Sequence, residues 1–142
     1  MQDITTGAVL VCVTDQPSCH RLIMAGKTIA EQYGLPLQVV SVLPPRLVSD
    51  KTAQALQTLH NISSKQGADM TVFFNESPAV TIAVHARQCG AVHLVSGTPG
   101  ADNTMFLATL RELLPEIPLS LVDTDGQLIT FPALSPIPAI QD

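Results

Sequence analysis

The residue types able to do chemistry gather in a few short stretches. The first is Ser96-Gly97-Thr98-Pro99-Gly100, which ends an apolar run over residues 91–95. Polar Asp102-Asn103-Thr104 follow, and then a helix-like apolar pattern. A strand, a glycine loop and a helix start in that order aim backbone N–H groups and a helix dipole at one point, where a phosphate can be cradled. The second stretch is Thr14-Asp15-Gln16-Pro17, a polar turn closing the apolar run AVLVCV. The third is Cys19-His20. A thiol in the first turn of a helix has its pKa lowered by the dipole, so Cys19 is a candidate redox thiol, set against an ordinary half-exposed cysteine with no CxxC or resolving partner nearby.

Other chemistries find less support. His20, His60, His85 and His93 share no ligand spacing, so no metal site is expected, and His93 reads as a hydrogen-bonded core histidine. Cys12 reads as core, and Cys89 as packed at a helix end. The acids are dispersed at element ends, where capping accounts for most of them. No Ser-His-Asp set or carboxylate pair stands out, so no catalytic residue is nominated.

The elements that must position these residues follow from the hydrophobic pattern. Apolar runs of strand length occupy residues 8–13, 37–43, 70–74, 91–95 and 118–123, and the first, AVLVCV, is continuous, which means burial on both faces. Helical spacing fills the gaps. A helix capped by Ser18 carries Leu22, Gly26, Ile29, Ala30 and Tyr33 and stops at Gly34. One over residues 50–66 has sparse apolar positions, Leu56, Leu59 and Ile62, and a wide polar face. Ser77-Pro78 starts a third, apolar nearly all round and so expected to be well buried, which Gly90 ends. Phe106, Leu107, Leu110, Leu113 and Leu114 stripe a fourth, stopped by Pro115. Asp125-Gly126 is a hairpin signal, making residues 127–131 an antiparallel strand.

Such alternation predicts an α/β fold: a doubly wound, mostly parallel five-stranded sheet of order 3-2-1-4-5, helices on both faces, and a C-terminal antiparallel strand. One domain is expected over residues 1–131, with a proline-rich extended tail over 132–142. The switch point falls between the first and fourth strands. Their carboxyl ends bring Thr14-Asp15 beside Ser96-Gly97-Thr98, where ligands bind in such sheets.

Composition narrows the partners. A net charge of -5 without any Lys/Arg cluster argues against nucleic acid. No apolar run reaches the ~18–20 residues of a membrane span. The opening MQDITTG has neither a basic region nor an apolar core, so no secretory leader is expected there. Three scattered cysteines suit a reducing, cytoplasmic setting.

The segment VLVCVTDQPSCHRLIMAGKTIAEQYGLPLQVVSVL resembles the start of universal stress protein domains, and looks closer still to the variant in the sensor kinase of the bacterial potassium-transport system. The likeness runs over roughly residues 8–122. It implies an acidic residue ending the first strand, a place that spacing gives to Thr14 with Asp15 adjacent. It also implies a phosphate-wrapping pattern after the fourth strand: G-x-x-G, nine residues, then G-[ST]. Gly97-Thr98-Pro99-Gly100 matches the first half. The second half is missing. Counting on from Gly100 reaches Leu110-Arg111, and aligning the fifth strand instead puts Met105-Phe106 in that place, with Thr104 the nearest hydroxyl. A methionine or phenylalanine there removes a hydroxyl and crowds the backbone, and no basic side chain between Gly97 and Leu110 offsets phosphate charge.

Three functional readings result. The first is a degenerate, non-enzymatic sensing or interaction module with weak or absent ATP binding. The second, implied by the resemblance, is a protein that holds ATP or AMP through Thr14, Asp15, Val42, Gly97, Thr98, Gly100 and Thr104, with Val42 packed on the base and Thr104 reaching a phosphate. The third is thiol redox chemistry at Cys19. A homodimer through the C-terminal edge strands is expected as well, since an uncovered apolar edge strand invites pairing.

Overall fold

The computed structural model describes residues 7–16, 19–98 and 104–134, the side chain of Thr104 excepted. The chain runs β1 (Ala8–Val13), α1 (His20–Tyr33), β2 (Leu37–Leu43), α2 (Asp50–Lys65), β3 (Asp69–Phe74), α3 (Pro78–Cys89), β4 (Ala91–Gly97), α4 (Thr104–Leu113), β5 (Leu119–Val122) and β6 (Leu128–Phe131). The strands form one sheet of order β3-β2-β1-β4-β5-β6, parallel except for β6, which pairs antiparallel with β5. This is the doubly wound order expected from the alternation of runs and helices, with the extra strand on the β5 edge.

Burial on both faces explains the continuous apolar strands. Val9, Val11 and Val13 of β1 point into one core with Leu22, Ile23 and Ile29 of α1 and Leu59 of α2. Leu10 and Cys12 point the other way, into a second core with Ile82, Ala83 and Ala86 of α3 and Leu110 of α4. Helix α1 lies very close on the sheet. A Cβ at Gly26 would stand 2.2 Å from the Val11 side chain, so only glycine allows this approach. Gly34 and Gly90 close α1 and α3 in left-handed conformations, as their places just past the helices require.

Several expectations are corrected. Helix α3 is not buried all round: Val80 and Val84 are exposed, because β3 leaves one side of the helix uncovered at the sheet edge. Tyr33 is also exposed, standing at the last residue of α1 beyond the reach of the core, though its ring comes within 6.2 Å of His93. Ser77 precedes α3 but gives no side-chain cap; Asn75 Oδ1 accepts from its N–H at 2.8 Å instead. Ser18 lies outside the described residues, and the residue before α1 is Cys19, which makes no side-chain cap bond.

His93 is a core histidine as expected. Its Nε2 is 2.7 Å from Ser120 Oγ, which is 2.7 Å from Thr130 Oγ1, so a polar ladder crosses β4, β5 and β6. Burial lowers its pKa. Residues from 135 on, most of the proline-rich tail, lie outside the described residues. The start of the tail turns back on the domain: Leu134 N–H donates to Pro115 O at 2.7 Å, and Arg111 donates to Pro132 O.

Candidate functional site

A cavity of about 810 Å³ opens at the carboxyl ends of the strands, beside the switch point between β1 and β4. Small-molecule sites are roughly 300–1,000 Å³, so this one has room for a nucleotide-sized ligand. Its walls come from widely separated parts of the chain. The β1–α1 loop gives Thr14, Asp15 and Gln16, and the end of β2 gives Val42. The end of β4 gives Gly97 and Thr98, and the start of α4 gives Met105 and Phe106.

The β1–α1 side is braced. Thr52 Oγ1, on the first turn of α2, donates to Asp15 Oδ2 at 3.1 Å. That hydroxyl is itself placed by the start of the helix, where Ser49 Oγ accepts from Thr52 N–H at 3.3 Å. Asp15 is half-buried, and its carboxylate faces the cavity with one oxygen engaged from behind.

Cys19 differs from the half-exposed first-turn thiol expected of it. It is 6% exposed and belongs to the core with Leu22. Thr14 N–H donates to its Sγ at 3.5 Å, and Thr14 Oγ1 is also 3.5 Å away. The thiol therefore holds the β1–α1 loop against the helix, a packing role for which the loop itself supplies the cover. Cys12 is fully buried, and burial pushes its thiol up to about 12, so it is inert core. Cys89 sits at the end of α3, as expected.

The β4 side is different in kind. Gly97 has no positive φ, and among the described residues a Cβ there would meet only Leu22, at an ordinary 3.5 Å. The fold does not need glycine at this point, and the absent side chain leaves space in the cavity. Thr98 is exposed, and its N–H donates to Val122 O at 3.3 Å, extending the β4–β5 ladder to the rim. Met105 is 71% exposed at the mouth, and Phe106 packs on the second core. Gly100 lies outside the described residues, as does the side chain of Thr104, whose backbone opens α4.

Of the expected ligand residues, the structure thus brings Thr14, Asp15, Val42, Gly97 and Thr98 to one cavity. Arg21 was not among them, yet it lines the same cavity. Its position in the first turn of α1 was readable, but its reach to Asp123, 102 residues along the chain, was not. Among the described residues no group of His, Cys, Asp or Glu could hold a metal ion, and no helix is long and apolar enough to cross a membrane. A smaller apolar depression of about 310 Å³, lined by Phe73, Val80, Val84 and His85, lies between β3 and α3 and shares Val80 with the larger cavity.

No family model and no curated protein matches the sequence. The fold has clear relatives among solved structures. A universal stress protein from Archaeoglobus fulgidus, in complex with dAMP, is 19% identical with a TM-score of 0.60, over 84% of this chain and 98% of that one. A universal stress protein in complex with cAMP is 15% identical with a TM-score of 0.64, over the same shares of 84% and 98%. A member of that family from Burkholderia pseudomallei is 15% identical with a TM-score of 0.60, over 82% and 95%. The chain has the α/β fold of universal stress proteins along almost the whole length of those structures.

Proposed function

We propose that the chain is a non-catalytic sensing module of universal stress type, whose cavity takes an adenine nucleotide with a short phosphate chain in preference to ATP. The observation that carries this reading is the convergence of Asp15, Val42, Gly97 and Thr98, from three strand ends, on one cavity of about 810 Å³. Two solved structures of this fold hold dAMP and cAMP, which supports an adenine ligand of this size. The residues fit such a group. Val42 offers an apolar wall to a base, and Asp15 an acceptor for an amino or hydroxyl group. Gly97 offers bare backbone to a phosphate. Gly100 and Thr104 are proposed to extend that contact. Exposed Met105 and half-buried Phe106 stand where a longer phosphate chain would need small, hydroxylic residues. What remains of the first expectation is thus its weak ATP binding. The likeness to the potassium-system sensor kinase rests on the sequence alone.

Calorimetry with ATP and AMP tests the reading. AMP is expected to bind with a Kd of about 1–100 µM, roughly 5–8 kcal/mol. ATP should bind at least ~10-fold more weakly, and Gly97→Val should abolish both. Absence of binding by either nucleotide would overturn the proposal.

A second proposal concerns assembly. All four residues of β6 are exposed, including Leu128, Ile129 and Phe131, and β6 is the outer strand of the sheet. An apolar strand bare on its open edge favours pairing with a second copy. Light scattering should give a dimer that Ile129→Lys dissociates; a monomer at high concentration would refute it. The three unpaired cysteines support a cytoplasmic setting for this protein.

A further inference from the structure

We infer that the cavity is extended at its base end for an adenine nucleotide whose exocyclic nitrogen carries a small apolar substituent, and that the depression between β3 and α3 takes that substituent. The inference rests on the nucleotide reading above and names the class of adenine ligand that the site would prefer.

The two hollows meet at one residue. Val80, in the first turn of α3, lines both the cavity of about 810 Å³ and the depression of about 310 Å³. They are also neighbours across the sheet. Val42, the wall proposed for the base, is paired in register with Phe73, which lines the depression. Both side chains pack on the second core, so they share one face of the sheet. A base seated on Val42 therefore has Phe73 beside it on the β3 side, with the way into the depression past Val80. Gly97 lies on β4, across β1 and β2 from β3. A substituent on the base reaches the depression, and one on the phosphate faces the opposite way. At about 310 Å³ the depression is at the lower limit of small-molecule sites, roughly 300 Å³, which fits one limb of a ligand and not the whole.

The lining sets the character of that limb. Val80 and Val84 stand one turn apart on α3 and form a single strip, 50% and 52% exposed. Phe73 supplies an aromatic wall, with the His85 ring edge-on to it at 5.4 Å. Burial lowers the pKa of His85 from 6.5, so its imidazole is neutral at pH 7. Among the described residues no Asp, Glu, Lys or Arg lines the depression. A charged group would lose water there and find no partner. An alkyl group would cover apolar surface that otherwise faces solvent.

Calorimetry with AMP, and with AMP carrying an isopentenyl group on its exocyclic nitrogen, tests this. The full chain should bind the isopentenyl nucleotide about 10- to 50-fold more tightly, the gain from burying about two or three methylene-sized groups. Val84 lines the depression and not the larger cavity. Val84→Glu sets a charge in the depression and should erase the gain with AMP affinity unchanged, whereas Val84→Leu should keep it. Amide NMR spectra should show shifts at Val84 and His85 with the isopentenyl nucleotide and none there with AMP. Equal or weaker binding of the isopentenyl nucleotide by the full chain would overturn the extension and leave the nucleotide reading standing. A gain that survives Val84→Glu would place the substituent elsewhere and overturn it too. Binding of neither nucleotide would end both proposals.

Discussion

The two sides of the cavity are built differently. On the β1 side the loop is clamped: Thr14 against the Cys19 thiol and Asp15 against Thr52. On the β4 side, Gly97 touches little, Thr98 is exposed, and Met105 stands out at the mouth. One wall is braced by side-chain hydrogen bonds, and the other is roomier, open at Thr98 and Met105. On the reading proposed above, the first wall would hold the recognition contacts and the second would leave room for a phosphate. Met105 and Phe106 belong to the roomy wall.

The same substitution at a packed glycine and at the cavity glycine should differ most visibly. At Gly26 an added methyl must push into Val11, and overpacking of this sort costs about 1–3 kcal/mol. At Gly97 the methyl meets Leu22 at an ordinary distance, and the cost should stay within about 0.5 kcal/mol. Denaturant unfolding of Gly26→Ala and Gly97→Ala should separate the two clearly; equal losses would show that Gly97 is packed as closely as Gly26.

A smaller effect sharpens the account of the clamped wall. Thr52→Val keeps the shape and removes the donor to Asp15 Oδ2, so stability should fall by about 1 kcal/mol. An unchanged unfolding midpoint would mean that water replaces the bond without loss.

The smallest effect lies below the roomy wall, in the His93–Ser120–Thr130 ladder. Burial lowers the pKa of His93 from 6.5, so the unfolded chain binds a proton more readily than the folded one. Stability from this source is complete above pH 6.5 and declines as pH falls from there toward the lowered folded value. His85, lowered by burial too, acts in the same direction. His93→Asn should therefore reduce the slope of stability against pH without removing it, and an unaltered slope would exclude His93 as a source.

Much of this architecture is legible in the residues themselves. AVLVCV and LQVVSVL announce buried parallel strands, Gly34 and Gly90 mark helix ends, and Asp125-Gly126 marks the hairpin. The strand order follows from crossover geometry, and with it the meeting of Thr14-Asp15 and Gly97-Thr98 at one end of the sheet. Periodicity names the inward face of a helix but not how far its neighbours extend, which is why Val80, Val84 and Tyr33 prove exposed. It is equally silent on long side chains. The Arg21–Asp123 contact and the burial of Cys19 under the Thr14 loop depend on how α1 is set on the sheet, and no local pattern encodes that.

On the function proposed above, both walls contact one adenine nucleotide. Amide NMR spectra recorded during an AMP titration test it most directly. The account predicts saturable shifts at Thr14, Asp15 and Val42 on one side and at Gly97 and Thr98 on the other, with one common affinity. Shifts confined to one wall, or clustered at the depression beside Val84 and His85, would contradict it.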